Sequence, residues 1–200
     1  MGEKMDRRKI RSKKLLRKAL LDLIEEKGMD GITVSDLTER AGVNRGTFYL
    51  HYRDTADMLQ RLKTEMFEGL SAEMEKINPL EVGYYAGMGQ AYPVSVQVLE
   101  YFAKHADFFQ VMLGPKGDRS FPSQIKAFMK NRLYNQILAD YPQKDGAVPR
   151  DYWIACITSA NLGIVMHWFE TGRQLPPREV ALIITRILSD GPLAAYGWKS

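Results

Sequence analysis

ITVSDLTERAGVNRGTFYLHYRDTADML, residues 32–59, is the stretch whose reading decides the fold. Thr33 opens a short helix, and Asp36, three residues on, completes a capping-box-like pairing. Val34, Leu37 and Ala41 then face inward at spacings of three and four. Gly42 breaks the helix. Asn44 caps another short helix through Tyr49 or Leu50, and Asp54 caps a third that runs to about Ile77. Two short helices around a tight glycine turn, packed under a longer first helix, make a helix-turn-helix, whose second short helix lies in the DNA major groove. The residue types suit that surface. Gly46 and Thr47 are small enough to approach base edges, and Arg45 has the fork geometry that pairs with guanine. Tyr49 and His51 reach toward phosphates, and Thr47 offers a hydroxyl to base or phosphate. Phe48 and Tyr52 turn inward and hold the helix down.

The chain upstream carries the charge. Lys4, Arg7, Arg8, Lys9, Arg11, Lys13, Lys14, Arg17 and Lys18 are opposed there only by Glu3 and Asp6. Residues 1–63 hold 15 Lys and Arg against 10 Asp and Glu, a net of +5, whereas residues 64–200 hold 13 against 14, a net of −1. A basic end on a neutral body points to a polyanion partner, here double-stranded DNA. After the basic run Leu15, Leu16, Ala19, Leu20, Leu23 and Ile24 recur at helical spacing until Gly28 ends the helix and Gly31 sits in the turn.

These segments together resemble the DNA-binding domain of TetR-type (tetracycline-repressor-like) bacterial transcription regulators. The resemblance rests on T-V-S-D-L at 33–37, A-G-V at 41–43, R-G-T-F-Y at 45–49 and H-Y at 51–52, and it covers residues 8–68. It implies DNA contacts from Thr33, Asn44, Arg45, Gly46, Thr47, Tyr49 and His51. Two positions depart from the family pattern. Thr55 stands where a phosphate-touching Lys is frequent near the start of the fourth helix, and Leu50 stands where a polar residue is common. Arg53 and the basic arm are the candidates to compensate.

Beyond residue 77 the pattern stays helical, with no sustained strand alternation. Asn78, Pro79, Gly83, Gly87 and Gly89 read as loop through residue 92, and Pro93 starts a helix. Asp107 caps a short apolar turn, Phe108 to Leu113. Gly114 to Ser120 is a loop, and Pro122 begins a helix to about Asp140. Tyr141 to Pro149 connect it to a long helix from about Asp151 to Thr171. The pair Pro176 and Pro177 turns the chain into a last helix, Arg178 to Asp190. The expected architecture is all-α: an N-terminal three-helix unit with its helix-turn-helix at about 33–51, then a larger C-terminal helical regulatory and dimerisation domain at 78–190. I-V-M-H-W-F-E-T-G at 164–172 and P-P-R-E at 176–179 resemble the regulatory half of the same family, which implies effector binding and dimerisation.

Aromatic and Met residues are dense in this half. Tyr101, Phe102, Phe109, Met112, Phe128 and Met166 are the candidate lining of a pocket for an apolar or aromatic small-molecule effector. The helix 151–171 is apolar nearly all round, so one face is expected to meet a second copy of the chain. Ala155, Ser159 and Gly163 form a small-residue ridge on it. Trp168, with Val180, Ile184 and Ile187 of the last helix, completes the expected homodimer interface. The single cysteine, Cys156, is read as buried and inert.

Several function classes find no support. One Cys and three scattered His (His51, His105, His167) lack metal-site spacing, so no metal or other cofactor is expected. There is no glycine-rich phosphate loop, no G-x-S-x-G and no H-E-x-x-H, so an enzyme is not expected. The uncharged run Trp153 to Phe169 is too short and too polar to span a bilayer, and no secretory leader is recognised. A cytoplasmic protein with no membrane partner follows. The reading is a sequence-specific transcription regulator, a repressor acting as a homodimer on a near-palindromic operator. Two rivals stand beside it: a helical small-molecule-binding protein or enzyme that does not use DNA, and a DNA-binding regulator controlled by a protein partner.

Overall fold

The computed structural model describes residues 2–134 and 148–198, and every regular element among them is helical. In order these are α1 (Gly2–Lys27), α2 (Val34–Ala41), α3 (Arg45–Tyr49), α4 (Thr55–Glu73) with a 3-10 turn (Met74–Lys76), α5 (Pro79–Gly87), α6 (Pro93–Lys104), α7 (Ala106–Leu113), α8 (Phe121–Arg132), α9 (Arg150–Glu170) and α10 (Pro177–Ala195). None of these helices is long and apolar enough to cross a membrane. The chain divides into two compact units, residues 1–66 with 107–119, and residues 67–106 with 120–200.

In the first unit, Leu16, Leu20 and Ile24 of α1 are buried with Leu37 of α2, Phe48 of α3, and Met58 and Leu62 of α4. Gly28 stops α1 with a left-handed backbone (φ 83°), and its N–H closes on the Ile24 carbonyl. The segment 107–119, expected in the second domain, belongs here. Phe108, Phe109 and Met112 add to the first core. Polar ties then hold the segment: Arg17 to Asp107 at 2.9 Å, the Lys116 ammonium on the Glu26 carbonyl at 2.8 Å, and the nearly buried pair Lys63 and Asp118. Asp107 therefore lies inside α7 as an ion-pair partner rather than capping it from outside.

In the second unit α10 packs on α5, α6 and α9, and α8 packs on α9. Leu99, Phe102, Phe121, Ile125, Ile154, Trp168, Phe169 and Ala181 form the core. Tyr92 joins three segments: its hydroxyl accepts from the Asn78 N–H (2.7 Å) while its own N–H donates to the Thr185 hydroxyl (3.0 Å). The expected loop at 78–92 is in part a helix. Asn78 caps it through Leu80 N–H and Pro79 occupies its first turn, so the start signals outweigh Gly83 and Gly87, both exposed. α10 runs on to Ala195 across a break at Gly191 (φ 79°) before Pro192. The expected end of α8 near Asp140, and most of the connection from Tyr141 to Pro149, fall outside the described residues.

Candidate nucleic-acid interface and ligand cavity

The helix-turn-helix is built by local hydrogen bonds that its residue types dictate. The Thr33 hydroxyl accepts from Asp36 N–H at 3.2 Å, and the Asp36 carboxylate accepts from Thr33 N–H at 2.9 Å. Lys27 adds a third contact, at 2.9 Å, and these partners lower the Asp36 pKa to about 2. Gly42 ends α2 in the left-handed region (φ 63°), where its N–H reaches Glu39 and the Val43 N–H reaches the Thr38 carbonyl. Asn44 starts α3. Its side-chain oxygen accepts from Thr47 N–H at 2.7 Å and from the Thr47 hydroxyl at 2.9 Å.

Phe48 (0% exposed) and Tyr52 (3%) anchor α3 from below, their rings 5.7 Å apart. Above them Asn44, Arg45, Gly46 and Tyr49 stand exposed, and Tyr49 is 58% accessible. A Cβ built on Gly46 would sit 3.4 Å from the Asn44 side chain and meet nothing else within 4 Å. The protein's own packing therefore does not require glycine there; the bare backbone is clearance on the outer face. Thr33 is exposed at the start of α2, with its hydroxyl engaged in the cap. Thr47 is half-buried, and its hydroxyl hydrogen is committed to Asn44. Arg53 is exposed and bonded to Asp57 at 3.2 Å.

His51 is held from α1. Its Nε2 lies 2.8 Å from the Ser12 hydroxyl. The same hydroxyl lies 3.0 Å from the carbonyls of Arg8 and Lys9, so one Ser12 side chain ties His51 to the backbone of α1. Burial first, then the nearby Lys9 and Lys13, lower the His51 pKa from its usual value. Ser12 escaped the sequence reading. A signal was present, because it is the polar residue on the apolar stripe that continues through Leu16, Ala19 and Leu23. On the opposite side of α1, Arg7, Arg11, Lys14 and Lys18 surround Ile10 and Leu15.

The second unit contains a cavity of about 190 Å³. Leu70, Leu99, Phe102, Ile125, Leu162 and Ile184 contribute to its wall. Of the six residues expected to line a pocket, only Phe102 does so. Tyr101 instead covers Gly69, where an added Cβ would lie 2.2 Å from its hydroxyl, and stacks on His105 at 4.5 Å. Phe128 packs on Phe67 at 5.1 Å, Met166 is half-buried away from the wall, and Phe109 and Met112 belong to the first unit.

The expected dimer residues separate as well. Trp168, Val180 and Ile184 are buried within their own unit; the Trp168 indole N–H donates to the Leu175 carbonyl at 2.8 Å, and Ile184 faces the cavity. Ile187 is half-buried. Ala155, Ser159 and Gly163 lie exposed along α9, and Cys156, expected to be buried, is exposed beside them.

Comparison with known proteins agrees with this architecture. Residues 16–62 match the family model described as bacterial regulatory proteins, tetR family, and residues 89–190 match one described as transcriptional regulator C-terminal region. The uncharacterized HTH-type transcriptional regulator YxbF of Bacillus subtilis (strain 168) is 41% identical over 61 residues, which are 30% of this chain and 16% of that protein. A TetR transcriptional regulator from Streptococcus agalactiae 2603V superposes with a TM-score of 0.63 at 20% identity, over 94% of this chain and 99% of that one. The fatty acid degradation regulator FadR from Bacillus halodurans superposes with a TM-score of 0.57 at 13% identity, over 90% and 96% of the two chains. At these identities the structural likeness speaks for the fold.

Proposed function

Because the chain belongs to the tetR family of bacterial regulatory proteins, and is a DNA-binding transcription regulator, we propose that it is a ligand-responsive repressor acting as a homodimer on a near-palindromic operator. The observation that carries this reading is the outer face of α3. A five-residue helix is capped by Asn44 and anchored by Phe48 and Tyr52, and it presents Arg45, bare Gly46 backbone and Tyr49 outward. In this reading Arg45 reads a base edge, while Tyr49, His51 and the Thr33 end of α2 meet phosphates. Asn44 and Thr47 hold the register, each within reach of DNA. Repression is steric, by occupation of a promoter-proximal operator. A small molecule in the second unit's cavity alters the spacing of the two recognition helices and releases the DNA. The cavity favours this over control by a protein partner.

Selection of bound sequences from random double-stranded DNA tests the reading, and should return two related half-sites. On the selected site Arg45→Ala should cost about 1–3 kcal/mol and relax preference at one base position per half-site. Removal of residues 1–9 should weaken binding to all sequences alike and flatten its salt dependence. Recovery of no enriched sequence, or an Arg45→Ala protein with unchanged base preference, would sink the assignment.

A further inference from the structure

The cavity of the second unit has a wall that selects its guest. At about 190 Å³ it is somewhat larger than the roughly 150 Å³ apolar cavity that takes up benzene, which sets the guest at roughly 8–12 non-hydrogen atoms. Among the described residues no Lys, Arg, His, Asp or Glu side chain lines it. A carboxylate or ammonium entering there would leave water without meeting a counter-charge, and the group would sit unpaired. Among the described residues, three polar ones other than Trp153 reach the wall: Tyr92, Ser95 and Asn161. The Tyr92 hydroxyl is engaged with backbone at Asn78 and Lys76. Ser95 on α6 and Asn161 on α9 are half-buried, and neither forms a side-chain hydrogen bond with any described residue. A hydroxyl and a primary amide together offer both donors and acceptors.

We infer that this cavity binds an uncharged, mainly hydrocarbon molecule of that size, whose one hydrogen-bonding group meets Asn161 and Ser95. The inference rests on the effector reading above and gives that effector its chemical class. Apolar bulk supplies affinity from the α4, α6, α8 and α10 side chains. The Asn161 amide supplies selectivity, because a guest without a polar group leaves it unpaired and a charged guest cannot be compensated.

The test uses the full chain without DNA and three probes: indole (one N–H donor), naphthalene (none) and indole-3-carboxylate (charged at neutral pH). By calorimetry, indole should bind at least ~30-fold more tightly than indole-3-carboxylate, since the buried carboxylate finds no partner. Asn161→Leu should weaken indole about 5-fold or more and leave naphthalene unweakened, because only the hydrogen bond is lost. Val98→Trp, which fills the cavity, should abolish binding of both; its melting curve reports folding, and Ser95→Ala serves as a milder second variant that weakens indole selectively. Equal binding of the carboxylate, no binding of any probe, or equal loss of indole and naphthalene in Asn161→Leu would overturn the inference. Operator affinity is then measured separately. Indole binding that leaves operator affinity unchanged refutes the effector reading while the ligand class stands. Operator release by a charged compound seated in the cavity does the reverse.

Discussion

At the scale of single residues, His51 links the DNA surface to pH. In the free protein His51 meets Ser12 through Nε2, and Nδ1 is its second ring nitrogen. A lone pair does not bind a phosphate oxygen; an imidazolium with its second N–H does. In the contact proposed above, a phosphate beside His51 would favour the imidazolium, so operator binding would take up a proton. Burial, Lys9 and Lys13 lower its pKa in the free protein, and a phosphate raises it in the complex. Affinity should accordingly rise as pH falls from 8 to 6, by up to about 10-fold per pH unit for one proton. His51→Gln should remove that slope. Folding stability runs the other way. With the folded pKa below the unfolded one, the unfolded chain binds more protons just below pH ~6.5, so stability is complete above that value and is lost as pH falls through the folded pKa. Identical pH slopes of operator affinity in wild type and His51→Gln would exclude the proton uptake. Asp36 acts only under stronger acid: its contribution, present above its ordinary pKa of 3.8, is lost as pH falls toward about 2.

At the scale of elements, α3 depends on its cap, since five residues are far too few to hold a helix by propensity. Asn44→Ala should cost about 0.5–2 kcal/mol in urea unfolding and also free Thr47. Asn44→Asp keeps the accepting oxygen, so stability should return, yet operator affinity should stay low because a negative charge now faces phosphate. If Asn44→Asp restored both, Asn44 would be a cap and nothing more. Features of this kind were legible in the sequence because they are local: Thr33 with Asp36, Gly42, Asn44 and the inward pair Phe48 and Tyr52 each declare themselves within four residues. Long-range partnerships left no such mark. Phe109 and Met112 belong to the first unit through contacts such as Lys63 with Asp118 and Arg17 with Asp107, some 55 and 90 residues apart. The pocket went astray for a related reason. Aromatic density says that side chains are buried, not which of them border a void; the wall fell mostly to aliphatic residues such as Leu70, Leu162 and Ile184. α5 is masked in the sequence by its glycines: Gly83 and Gly87 signal a loop, but both are exposed, and the Asn78 and Pro79 start signal prevails.

At the scale of the whole molecule, the question is what covers α9. Of the residues expected at a homodimer interface, Trp168, Val180 and Ile184 are buried inside one subunit. Exposed on α9, beside Tyr152, Trp153 and Cys156, is its ridge of small residues, Ala155, Ser159 and Gly163, a shape that lets a second helix approach closely. Gly163 separates the two outcomes. A Cβ built there meets no atom within 4 Å, so a side chain fits the lone subunit without strain. Replacing Gly by Arg in an exposed helix interior should even raise subunit stability, by up to about 1 kcal/mol. At a two-fold interface the same change acts twice and places unpaired guanidinium groups against their copies. Gly163→Arg should therefore stay folded with a cooperative melt, and have half the wild-type mass by light scattering at micromolar concentration and much weaker operator binding. In the proposed homodimer, two α3 helices held about 34–36 Å apart, or a multiple of it, would read half-sites one or more turns apart. A single half-site should then bind wild type and Gly163→Arg with similar, low affinity, since only the coupling between copies is lost. A wild-type chain with the mass of one subunit, or Gly163→Arg still at dimer mass, would place the dimer elsewhere or remove it.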